Sequence, residues 1–185
     1  FREIIPIIIQ HMAHGLDTLV EAAELLRARD DIVFLMAGDG AERGRLQQEI
    51  SQRGLTNIIM LGQLPKADMP KLWSVSDASL VLLRKLDLFL TVIPSKIFES
   101  MAMKKPIIMG VEGESREIIE QAGSGVMMEP ENAADLAKAI TQLADSPELC
   151  RSLGESGYAH VAEHFDRSKL AELFELQLAR LGNDR

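Results

Sequence analysis

Val33-Phe34-Leu35-Met36-Ala37-Gly38-Asp39-Gly40 is a continuous apolar run that stops at two glycines. A run with no polar alternation is how a strand covered on both faces reads. Five other short runs, at residues 4–9, 58–61, 79–83, 107–111 and 125–128, share most of this character. Pro6 weakens the first of them and predicts an edge strand or a strand start, because proline has no N–H for a central ladder.

Between the runs lie segments of helical period. Leu16, Leu19, Val20, Ala23 and Leu26 share one helix face, as do Leu136, Ala139, Ile140 and Leu143. Residues 95–104 place Ile97, Phe98, Met101 and Ala102 on one side. Ser146-Pro147-Glu148 combines a capping serine, a first-position proline and an acid in the first turn, which starts a helix. A last helix is expected over residues 168–181. Strand–helix alternation repeated five or six times predicts an α/β fold: a doubly wound parallel sheet of about six strands with helices on both faces, then extra C-terminal helices.

The 185 residues fit one domain, and a hydrophobic fraction of 46% fills a core without disulfide or metal staples. A formal net charge of -8, with no Lys/Arg stripe, argues against a nucleic-acid partner. The lone Cys150 excludes an internal disulfide and fits a reducing, cytoplasmic compartment. No apolar run reaches the roughly 18 residues of a membrane span. The start at Phe1 reads as the boundary of a fragment.

Open α/β sheets bind ligands beyond the carboxyl ends of their strands. That selects the loops at 10–15, 38–40, 62–66 and 84–95. The last contains Thr91-Val92-Ile93-Pro94-Ser95-Lys96-Ile97-Phe98-Glu99. Pro94 ends extended backbone, and a helix opening at Ser95 offers unpaired amides and partial positive charge, which suit a phosphate. Ser95 adds a hydroxyl and Lys96 a full charge. Glu99, four residues past Ser95, can accept two hydrogen bonds from a ribose diol. The same residues also describe ordinary helix capping and dipole compensation. Gly38-Asp39-Gly40 serves either close approach to a ligand or a tight turn, and Gly62 with Leu64-Pro65 is equally open. His14-Gly15 either contacts an anion or starts a helix. The four histidines do not cluster with acids, so no metal site is expected. Neither a dinucleotide fingerprint nor a Walker loop is present.

Phe98-Glu99-Ser100-Met101-Ala102-Met103-Lys104-Lys105-Pro106-Ile107-Ile108 resembles the F/L-E-A-M-A-x-G-K-P-V-I block of the retaining glycosyltransferases with two Rossmann-like domains, often called family four. Further stretches match in the same order: 14–15 with 19–26, 33–40, 57–64, 69–83, 94–106, 113–119, 122–130, 136–149 and 154–165. The resemblance implies a Rossmann-like, GT-B-type C-terminal domain that binds a nucleoside-diphosphate sugar without a metal or other cofactor. Glu99 then matches the ribose-binding glutamate, the Gly15 loop and Ser95-Lys96 face the diphosphate, and the Leu64 loop faces the base.

Departures from the family pattern are specific. The first acid of the signature pair falls at Thr91, where the family touches the donor sugar. The usual Lys-Gly is His14-Gly15, the glycine near Gln10 is missing, and Lys105 replaces or adjoins the glycine of Lys104-Lys105-Pro106. The segments 91–96 and 13–17 resemble the N-acetylfucosamine-type transferases of bacterial surface polysaccharide synthesis. The implied donor-binding set is His14, Gly15, Gly38, Leu64, Thr91, Ser95, Lys96 and Glu99. The implied activity is sugar transfer to a hydroxyl acceptor, with an N-terminal acceptor domain as partner. The whole enzyme could then sit at a membrane surface, and exposed apolar surface could dimerise the fragment. A nucleotide-binding module without activity and half of a nucleotide-sugar epimerase are the alternatives.

Overall fold

The computed structural model describes residues 5–10 and 15–183. Six strands form one parallel sheet: β1 (Ile5–Gln10), β2 (Ile32–Ala37), β3 (Ile58–Gly62), β4 (Ala78–Leu82), β5 (Ile107–Gly110) and β6 (Gly125–Met127). Their order is β3-β2-β1-β4-β5-β6, and every pairing is parallel. Helices α1 (Leu16–Leu25), α2 (Arg43–Gln52), α3 (Met69–Ser74), α4 (Lys96–Ala102), α5 (Glu114–Ala122) and α6 (Ala133–Ala144) follow the strands in turn. Then α7 (Pro147–His164) and α8 (Arg167–Asn183) run on with no strand between them. The doubly wound architecture expected from the apolar runs is the one observed.

The continuous runs have a direct cause. In β4, Leu80 and Leu82 face a core with α1, α2 and α6, while Val81 faces a second core with α4 and α5. In β5, Ile108 joins the first core, and Ile107 and Met109 join the second. Side chains alternate across a strand, so two covered faces favour apolar residues at nearly every position. β3 lies at an edge instead, and Ile59 and Leu61 are exposed although both are apolar.

One expectation is narrowed and another needs correction. Of the two readings of Pro6, the edge strand is excluded, because β1 lies between β2 and β4. Pro6 is at the strand start: it pairs with Val33, while pairing to β4 begins one residue later at Ile7 and Ala78. The buried side of α4 is Ile97, Met101 and Ser100, with Ala102 exposed. Ser100 Oγ donates to Lys96 O at 2.6 Å and lies 2.8 Å from Ser79 Oγ, so the buried hydroxyls of α4 and β4 satisfy each other.

Ser146 caps α7 as expected, accepting from Leu149 N at 3.3 Å. That helix packs along α4 because Gly154 lets its backbone approach the end of α4: a Cβ there would lie 2.2 Å from Lys104 O. Gly154→Ala should therefore cost roughly 1–3 kcal/mol of stability through overpacking. The check is a urea midpoint that falls at unchanged slope.

Candidate functional site

Strand order reverses between β1 and β4, so the loops leaving their carboxyl ends diverge and open a crevice. Gly15 closes one side of it. It precedes α1 with φ 76° and ψ 15°, and a Cβ on it would be 3.2 Å from Leu82 Cβ at the end of β4. Gly15 thus lies directly against the start of the β4–α4 loop. His14 falls outside the described residues.

The β4–α4 loop is held at several points. Near its start, Lys85 N–H donates to Glu131 Oε2 at 3.2 Å, and Lys85 Nζ lies 2.7 Å from Glu129 Oε1. A 3₁₀ turn follows at Asp87–Phe89. Leu90 O then accepts from Glu114 N at 2.9 Å, and Val92 O accepts from the Ser115 hydroxyl. Gly113 permits this contact, since a Cβ there would lie 2.0 Å from Leu90 O. Thr91, with an exposed side chain, sits between the two tethered carbonyls. Gly113 and Ser115 position this loop, and sequence reading gave them no role. Their signal is a Gly-x-Ser step at the start of the helix after β5, legible only once β5 is known to neighbour β4.

At the other end of the loop, Ser95 precedes α4 with helical angles, φ -55° and ψ -27°, and its hydroxyl makes no capping bond. An N-cap serine normally has extended backbone and binds an amide two or three residues on, so side-chain capping does not account for Ser95. With seven residues α4 has a short dipole, and the charge at this point comes mainly from Lys96. Lys96 is half-buried, and burial pulls its ammonium down to about 8. Glu99 projects from the next turn with an exposed side chain, and among the described residues no group donates to its carboxylate. Its neighbour Phe98 packs on Phe165 at the end of α7, with ring centroids 4.6 Å apart. The site face of α4 is thereby fixed in rotation by a buried face and an aromatic clasp.

Gly38 and Leu64 form a second group farther along the same sheet edge. Gly38, at φ 131°, donates its N–H to Gly62 O at 2.7 Å, and Asp39 Oδ1 accepts from Gly40 N at 2.9 Å. The Gly38 bond thus ties the ends of β2 and β3 together. Leu64 packs against the Ala37, Leu72 and Trp73 cluster, which seats its loop.

An open depression of about 660 Å³ lies beside the ends of α1 and α6, lined by Glu21, Glu24, Glu129 and Glu131. Four carboxylates repel a diphosphate, so the β1/β4 crevice is the better anion site. Among the described residues no group of three His, Cys, Asp or Glu is placed to hold a metal, and no helix is long and apolar enough to cross a membrane.

A family model described as "Glycosyl transferases group 1" matches residues 7–160. Alpha-D-kanosaminyltransferase of Streptomyces kanamyceticus is 28% identical over 151 residues, covering 77% of this chain and 36% of that protein. HepE of Anabaena, solved in complex with UDP-glucose, superposes with a TM-score of 0.81 at 18% identity, covering 96% of this chain and 49% of that one. The C-terminal domain of a glycosyl transferase group 1 family protein (LpcC) from Francisella tularensis gives 0.73 at 22% identity, covering 89% and 87%. The chain thus spans roughly a third to two fifths of the curated relatives it matches.

Two outcomes follow from the geometry. Ser115→Ala should cost about 1 kcal/mol and speed amide exchange over residues 87–95 while leaving the sheet amides protected. The half-buried Lys96 gives a pH signature. Its proton is held to about 8 in the fold, against 10.5 for an ordinary lysine, so the unfolded chain binds more protons between these values and stability should rise with pH across that window. The opposition to folding is fully present below 8. Lys96→Met should flatten the rise, measured as denaturant midpoints at pH 7, 9 and 10.5.

Proposed function

The chain belongs to the group 1 glycosyl transferases, and from that premise we propose that it is the half of such an enzyme that holds the nucleoside-diphosphate sugar. The observation that carries the reading is the meeting of Gly15 with the end of β4 where strand order reverses, beside a helix that presents Ser95, Lys96 and Glu99. Gly15, Ser95 and Lys96 face the diphosphate, with His14 assigned to the same loop. Glu99 accepts from the ribose hydroxyls. The Leu64 loop, seated on the Ala37, Leu72 and Trp73 cluster, lines the base, and Thr91 lies toward the sugar.

In the reaction, the bond from the sugar's anomeric carbon to the diphosphate oxygen breaks, and a bond to an acceptor hydroxyl oxygen forms as that hydroxyl loses its proton. Negative charge gathers on the departing diphosphate, and a cation already fixed beside it stabilises that charge with little reorganisation. Lys96 fills this role. The acceptor comes from a second domain of the whole protein, and Leu170, Phe174, Leu176 and Leu178, exposed on α8, are apolar surface for that partner or for a second copy of this chain. The segment 91–96 supports an N-acetylfucosamine-type donor and a place in bacterial surface polysaccharide synthesis, in the cytoplasm. No resident cofactor or metal enters this reading. Thr91, standing where the family has an acid, favours a second reading: a nucleotide-binding module that does not transfer sugar.

Calorimetric titration with UDP, GDP and ADP tests the donor site. One nucleotide should bind saturably, and Glu99→Ala should weaken it about tenfold or more, as expected for lost hydrogen bonds to a charged group. Binding should also weaken above pH 8 as Lys96 of the unliganded chain loses its proton, and Lys96→Met should remove that dependence. Saturable binding by none of the three would overturn the assignment. Donor and acceptor incubated with the full-length enzyme separate transfer from inert binding, and donor alone reveals an epimerase.

A further inference from the structure

Arg43, the first residue of α2, is used differently from Arg45 within that helix and Arg53 just after it. Arg45 binds Asp17, Glu42 and Glu49, with contacts of 2.7 to 3.1 Å, and Arg53 binds Glu24 and Glu49 at 2.6 and 2.8 Å. Among the described residues Asp39 is the one acid near the Arg43 guanidinium, at 3.8 Å between Nη1 and Oδ1, and the guanidinium N–H groups make no hydrogen bond. Both side chains are solvent-exposed, and an ion pair of that length contributes little to stability. Its guanidinium nevertheless has a defined place. It sits on the open side of Gly62, where a Cβ would lie 3.3 Å from both Nη1 and Nη2.

That place is the carboxyl end of β3, where the chain enters the Leu64 loop. Neighbouring strands lie about 4.8 Å apart, so β3 is roughly 10 Å from β1 and roughly 14 Å from β4 along the edge. With a diphosphate at the β1/β4 crevice, a nucleoside laid outward along the edge brings its base to β3. Asp39 disfavours a phosphate beside Arg43 but does not oppose a neutral ring. The unused N–H donors of the guanidinium match carbonyl oxygens on a base edge.

Resting on the donor-site reading, we propose that Arg43 contacts the nucleobase and selects a carbonyl-bearing base, uracil or guanine, over adenine. Gly62 makes room for the guanidinium, and Asp39 lies 3.8 Å from it. Adenine presents no carbonyl to this fork.

Calorimetry on this chain with UDP, GDP and ADP tests the proposal, comparing wild type with Arg43→Ala and Arg43→Met. The second variant keeps an aliphatic stem over Gly62 and removes the donors. Wild type should prefer UDP or GDP to ADP. Both variants should weaken the preferred nucleotide roughly tenfold or more and leave ADP within about twofold, so that the preference collapses. Equal losses for all three nucleotides, an unchanged preference, or a wild type that prefers ADP would each overturn the assignment. Glu99→Ala separates the two levels. If it weakens binding while both Arg43 variants match wild type, the donor site stands and the role of Arg43 falls; if wild type binds no nucleotide, both fall.

Discussion

β1 and β4 pair side by side, yet the chain between them travels out to β3 and returns. This reversal is the constraint on which the rest of the structure depends. Loops leaving neighbouring strands normally turn toward the same side of a sheet, but at a reversal they turn apart and leave a crevice. Gly15 against Leu82 marks its floor. The tethered loop, the half-buried Lys96 and the exposed Glu99 lie on its β4 side. The two covered faces of β4 and β5 hold that side rigid, because α4 cannot shift without disturbing Ile97 and Met101, both fully buried.

Most of the fold was legible because parallel strands buried on both faces cannot hide their composition. β4 and β5 were read almost to the residue for that reason. The edge was not legible: Ile59 and Leu61 look as apolar as Leu80, and nothing local says that β3 has one neighbour. Pro6 left two readings open, an edge strand or a strand start, and the second holds. A missing donor matters only where a partner strand needs it, and pairing to β4 starts just after Pro6. Strand order, which no single segment encodes, decided both cases.

The site divides in the same way. Ser95, Lys96 and Glu99 share one helix start, so spacing alone assembled them. Gly113 and Ser115 act on a loop more than twenty residues upstream, and Arg43 acts on Gly62, so neither relation has a local signature. The glycine replaced in the Met101–Pro106 block is a related case. Sequence left the choice between Lys104 and its neighbour open, and the backbone decides it: Lys104 has φ 54°, the left-handed region that favours glycine. A residue with a Cβ there costs about 1–2 kcal/mol. Lys104 partly offsets this through its ion pair with Glu155 at 2.9 Å and its ammonium 4.7 Å from the Tyr158 ring centroid. Both partners lie on α7, so the strained position also fastens the helix that Gly154 admits.

Lys96 and Thr91 are best understood together. Burying an ammonium opposes folding, and the displaced value of about 8 records that cost. A purely structural lysine at the end of a loop would do better reaching solvent, where its charge is hydrated. A cation kept half-buried is instead poised to gain when an anion enters, because the same low dielectric that penalises a buried charge strengthens its attraction to a diphosphate. Under the donor-site reading this matters more here than in the family pattern, where an acid eight residues before the ribose-binding glutamate touches the sugar. Thr91 offers only a hydroxyl, so the site has less leverage on charge developing at the sugar ring. Stabilisation of the departing diphosphate has to carry more of the reaction, and the burial of Lys96 is the feature of this chain that can supply it.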